Sequence, residues 1–79
     1  MITDLYLLQG MTYRAVERQI NRRTQLNVNV WQVGRGANSC VAVQYEGNRW
    51  VESQQLKDAV KELARDNNLD LNINMEQYR

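Results

Sequence analysis

Hydrophobic and polar positions change period along this chain, and the changes divide it into elements. Leu26, Val28 and Val30 alternate with Asn27, Asn29 and Trp31, the period-2 pattern of a half-buried strand. Gly34-Arg35-Gly36-Ala37-Asn38-Ser39 then turns the chain into Cys40-Val41-Ala42-Val43-Gln44-Tyr45. Glu46-Gly47-Asn48-Arg49 turns it again, and Gly-Asn at the centre suits a two-residue hairpin because both positions must tolerate positive φ. That register sets Tyr45 opposite Trp50 and Glu46 opposite Arg49, with Val41, Val43, Tyr45 and Trp50 on one apolar face. The prediction is an antiparallel meander.

Helical periods flank it. Thr12 can cap a helix from Tyr13 to Arg23, with Tyr13, Val16 and Ile20 on one face and Arg14, Arg18 and Arg22 on the other. Before it, Leu5-Tyr6-Leu7-Leu8 is too short to fix its own period; we read it as an earlier helical turn, with Gly10 as a kink. After Glu52 the stripe Leu56, Ala59, Val60, Leu63 and Ala64 predicts a second helix, capped by Ser53 and ended at Asn67 or Asn68. Leu69, Leu71, Ile73 and Met75 alternate with Asp70, Asn72 and Asn74 as a last strand. The expected fold is therefore α+β in one domain over residues 1–79: an N-terminal helix, a three-stranded antiparallel meander, a second helix, and a final strand joining the sheet.

Size and cysteine usage narrow the setting. Seventy-nine residues sit near the lower size at which one core suffices, and a single cysteine forms no internal disulfide. No basic start or long apolar run marks a secretory leader or a membrane span. A cytoplasmic chain without membrane contact is expected.

The net charge of +1 hides an asymmetry. Residues 1–39 carry Arg14, Arg18, Arg22, Arg23 and Arg35 against Asp4 and Glu17, whereas residues 40–79 carry more carboxylates than cations. Oppositely signed halves favour head-to-tail contact or a charged partner. The small size and the apolar Leu5–Leu8 end add to the case for a homo-oligomer.

Two stretches resemble nucleic-acid-binding units. Leu8-Gln9-Gly10-Met11-Thr12-Tyr13-Arg14-Ala15-Val16 resembles the opening of a helix-turn-helix, where such an entry leads the first helix. A turn and a major-groove helix should follow. The strand alternation from Leu26 to Val30 stands there instead, so a capped amphipathic helix is the reading we adopt. The order helix, three strands, helix is similar to double-stranded-RNA-binding domains. Gln54-Gln55-Leu56-Lys57 lacks the lysine cluster of those domains, and their function is not carried over.

Candidate chemistry is sparse. There is no histidine to act as base or ligand, and nothing activates Cys40, which suits a small buried position at a strand start. Gly34-Arg35-Gly36 is too short to cradle a phosphate and reads as a hairpin tip. Asp66, Asn68, Asp70 and Asn72 have calcium-loop spacing, but Leu71 stands where glycine is needed. No enzyme, cofactor or metal site is expected.

Four tyrosines and two tryptophans without phenylalanine suit surfaces that are wet when free and buried when bound. The sequence therefore points to a non-enzymatic, protein-binding regulator or stoichiometric inhibitor, of the kind that phages and mobile elements encode as antirepressors or inhibitors of host systems. Its partner contacts are expected at Trp31, Tyr6, Leu5 and Leu8; Trp31, opposite Leu26, Val28 and Val30 on its strand, fits a partner anchor and cover by the N-terminal helix equally. The alternative is a nucleic-acid-binding regulator using the basic face formed by Arg14, Arg18, Arg22, Arg23 and Arg35.

Overall fold

Leu5 and Leu7 are buried while Tyr6 and Leu8 between them are exposed, so the apolar segment near the start is a strand. A computed structural model describes residues 2–76. It has the order β1 (Thr3–Leu8), α1 (Tyr13–Arg23), β2 (Asn29–Val33), β3 (Cys40–Glu46), β4 (Arg49–Ser53), α2 (Leu56–Asp66) and β5 (Leu71–Glu76). The fold class is α+β as expected, but the first helix follows a strand. A four-residue run cannot choose its own period. Here β5 decides it, pairing parallel with β1 so that Leu5 meets Ile73 and Leu7 meets Met75. Gly10 does not kink a helix; its φ of +82° lies in the turn between β1 and α1.

The strands form two sheets, β1-β5 and the meander β2-β3-β4. The last strand thus joins β1 and not the meander, a second departure from expectation. The core lies between the helices and the inner strand faces. Val16 and Ile20 of α1, Ala59, Val60 and Leu63 of α2, Leu5, Val30, Val43 and Val51 of the strands, and Val28 just before β2 are all buried in it.

Side chains of α1 satisfy the backbones of the strands on either side of it. Gln19 accepts from Tyr6 N at 2.7 Å and donates to Tyr6 O at 2.9 Å, so its amide acts as one more peptide group alongside β1. Asn21 does the same for Val28, accepting from N at 2.7 Å and donating to O at 3.2 Å. Glu17 accepts from Val30 N and Arg23 donates to Asp4 O. Residues four apart share a helix side. Glu17 and Asn21 accordingly serve β2 and the residue just before it, while Gln19 and Arg23 serve β1.

The helix ends differ. The Thr12 side chain caps α1 by accepting from Ala15 N at 3.1 Å. Ser53, expected to cap α2, closes β4 instead; Gln55 holds the cap position without a side-chain bond. At the far end Asn68 takes the left-handed conformation, φ +54°, as anticipated for Asn67 or Asn68.

The β3–β4 hairpin departs from the expected register by one residue. Glu46 pairs with Arg49 as foreseen, but Trp50 pairs with Gln44, with an irregularity between Gln44 and Glu46 that leaves Tyr45 over. A bulged residue reverses the in-out alternation beyond it. Tyr45 stays on the inner side, packed against the core, and Trp50 moves to the outer side. Only Gly47 of the turn has positive φ, +53°, the arrangement of a II′ turn.

Tyr45 is also tied to α2: its hydroxyl donates to Asp66 Oδ2 at 3.0 Å. Burial, followed by the bond to Asp66 and its charge, pushes this phenol above its usual range; Arg49 works in the opposite direction. The folded chain therefore keeps the Tyr45 proton at a pH where the unfolded chain has released it. Its stabilising contribution is complete below about pH 10, the ordinary tyrosine value, and is lost as pH rises through the raised folded value. Urea unfolding at increasing alkaline pH should show this decline. Tyr45→Phe, which cannot ionise, should decline less steeply; equal slopes would remove the linkage.

Candidate binding surfaces

The outer face of the meander follows from the register. Trp31, Ala42 and Glu52 form one cross-strand row, and Asn29, Gln44 and Trp50 the next. Residues paired across an antiparallel ladder share a face, and β2 alternation adds Val33 to this one. The Cα envelope measures 36 × 36 × 18 Å, a thickness that accommodates two layers of secondary structure. Helices occupy the layer on the inner side, and no described element covers the outer one.

Trp31 is 39% exposed and Trp50 54%, with Val33 exposed beside them. Ala42 lies between the flanking strands and is fully buried, yet it is absent from the core cluster beneath the sheet. The larger outer-face side chains around it provide its cover. The Trp50 indole N–H donates to Glu52 Oε1 at 3.1 Å, which holds the ring along its own strand and engages the one charged strand position on this face. The result is a face with Trp31 and Val33 on one flanking strand and Trp50 on the other, with Ala42 and Gln44 of the central strand between them.

The other expected partner residues do not gather there. Leu5 is fully buried, so its assignment to a contact surface is corrected: it packs in the core opposite Ile73. Tyr6 is exposed on the outer side of β1, with the Arg23 guanidinium 5.3 Å above its ring. That distance suits a cation–π contact. Leu8 is exposed at the end of β1 and lines a shallow groove of about 270 Å3 with Leu7, Leu56 and Met75. Trp50 and Met75 are exposed apolar residues that the sequence reading did not assign to a surface. The bulge hid the first, and alternation along β5 assigns the second to the face of Leu71 and Ile73, where it lies at the open end of the strand pair.

Of the five expected basic residues, four project from α1 and are exposed; Arg35 sits apart on the β2–β3 connection. Arg18, Arg22 and Arg23 come together, lining with Ala15 and Gln19 a groove of about 240 Å3; Arg14 is not among its walls. Cys40 is half-buried at the start of β3. No described helix is long and apolar enough to cross a membrane. Comparison with known protein families, curated proteins and solved structures gives no match.

Proposed function

We propose that this chain is a small non-enzymatic protein that binds another protein through the outer face of the meander. It would act stoichiometrically in the cytoplasm as a regulator or inhibitor, the role of many small phage and mobile-element proteins. The observation that supports the reading is the exposure of Trp31 and Trp50 on the same outer sheet face, on the two strands flanking β3, with Val33 exposed next to Trp31. Aromatic anchors of this type dominate interface energetics, and their exposure in a lone chain leaves apolar area free to be buried by a partner. The charged strand position on this face is the acidic Glu52, which does not suit a phosphate backbone.

Capture from the native host with the wild-type chain and with Trp31→Ala tests the reading. A protein retained by the first and lost by the second supports it; equal retention overturns it. Self-association through the same patch is also part of the proposal. Sedimentation should show the apparent mass rising with concentration, less so for Trp31→Ala. A monomer at high micromolar concentration removes the homo-oligomer.

A second reading keeps a specific observation. Arg14, Arg18 and Arg22 project outward from α1 and could follow a nucleic-acid backbone as a regulator would. Binding that weakens steeply with salt belongs to this reading and not to the tryptophan face.

A further inference from the structure

The groove on α1 has features that a solvated row of arginines lacks. Successive residues of a helix are rotated by about 100°. Arg18 and Arg22 stand one turn apart on the outer side, and Arg23 stands next to them toward β1. The small side chain of Ala15 leaves room between the outer arginines and the β1 side. Gln19 is a wall and not a free ligand, because its amide is spent on both backbone groups of Tyr6.

Arg23 is already held in place. One nitrogen donates to Asp4 O at 3.1 Å, and the ring of Tyr6 lies against the guanidinium. The nearby carboxylate of Asp4 takes the Asn72 side-chain amide instead, at 2.9 Å. Arg23 thus has only one of its five donors committed to a hydrogen bond. No carboxylate lines the groove. Three guanidinium groups at one concavity repel one another until a counter-charge enters, and planar forks match the oxygens of a phosphoryl group better than a single carboxylate.

We propose that Arg18, Arg22 and Arg23 form a binding site for a compact, multiply charged phosphoryl anion, such as a diphosphate or the phosphate end of a nucleotide. The site uses no residue of the tryptophan face. It shares arginines with the nucleic-acid reading but differs from it in geometry: the cations are gathered at one point, and Arg14, which a backbone track along α1 would use, lies outside.

Titration calorimetry with inorganic pyrophosphate, beside a short single-stranded oligonucleotide at equal phosphate concentration, tests the site. Saturable one-to-one binding of pyrophosphate is expected. Arg18→Ala and Arg22→Ala should each weaken it by about tenfold, the usual scale for one charge-assisted contact. Arg23→Lys, which keeps charge but loses the fork, should weaken it as well. Arg14→Ala and Trp31→Ala should leave it unchanged, the latter separating this site from the protein-binding face. Thermal unfolding of each variant verifies that the fold survives. Absence of saturation at millimolar pyrophosphate overturns the proposal. So does an equal loss with Arg14→Ala, or tighter binding of the oligonucleotide dependent on Arg14, which would make the stripe a backbone track.

Discussion

Leu63→Ala is expected to lower the stability of the folded chain by about 2–5 kcal/mol. Leu63 is fully buried and belongs to the one cluster that unites both helices with the strands. Alanine is the best helix former, so the helix itself is not penalised and the loss reports packing alone. The missing atoms leave a cavity that a close-packed core fills only in part by relaxing around it. Domains commonly retain only about 5–15 kcal/mol, so this single change would unfold a substantial share of the molecules of so small a protein. Urea unfolding gives the answer: the midpoint should fall while the slope stays constant. Lys61→Ala, on the exposed side of the same helix, should stay within about 0.5 kcal/mol. A loss that small for Leu63→Ala would mean that α2 is not packed on the sheet.

Trp31→Ala carries the second large effect, on binding and not on folding. Truncating a central aromatic anchor costs about 2–4 kcal/mol, against about 1 kcal/mol or less for an exposed rim charge. Affinity for the captured partner should therefore fall by roughly thirty-fold or more. Because Trp31 lies on the outer face and outside the core cluster, the fold should persist, which far-ultraviolet dichroism and the unfolding midpoint will check. Replacing Arg14, Arg18 and Arg22 together with alanine should instead slow association and flatten its salt dependence. If Trp31→Ala unfolds the chain, the residue is core and the anchor idea is wrong. If it is harmless while the triple change abolishes binding at every salt concentration, the nucleic-acid reading replaces the protein-binding one.

Much of this architecture was legible from local pattern. The two helices, the meander and the last strand each carry a periodicity long enough to identify them, and Thr12 and Asn68 mark helix ends by their own side-chain chemistry. The misreadings share a cause. β1 is a strand because β5 pairs with it, and nothing within Leu5–Leu8 encodes a partner at the far end of the chain. Trp50 faces outward because one residue of β3 is left unpaired, and a bulge has no signature in alternating residues. The candidate surfaces inherit both limits. Trp31 could be placed on a face by counting along its own strand, whereas its companion Trp50 could not. The arginines could be assigned to one side of a helix, but that Arg18, Arg22 and Arg23 share one groove and Arg14 does not follows only from how their side chains lie on α1.

The side-chain amides of Gln19 and Asn21 give α1 a further role. Each sheet has two margins where unpaired peptide groups could recruit another strand, and such margins seed aggregation and domain exchange. In the folded chain side chains of α1 bond the margin of β1 at Tyr6 and that of β2 at Val30, leaving β4 and β5 as the open margins among the described residues. Local opening of this one helix, well short of global unfolding, would double the number of exposed margins. It would free the amides of Tyr6, Val28 and Val30 together. How often those strand margins meet another chain thus follows the opening of α1 as well as global unfolding.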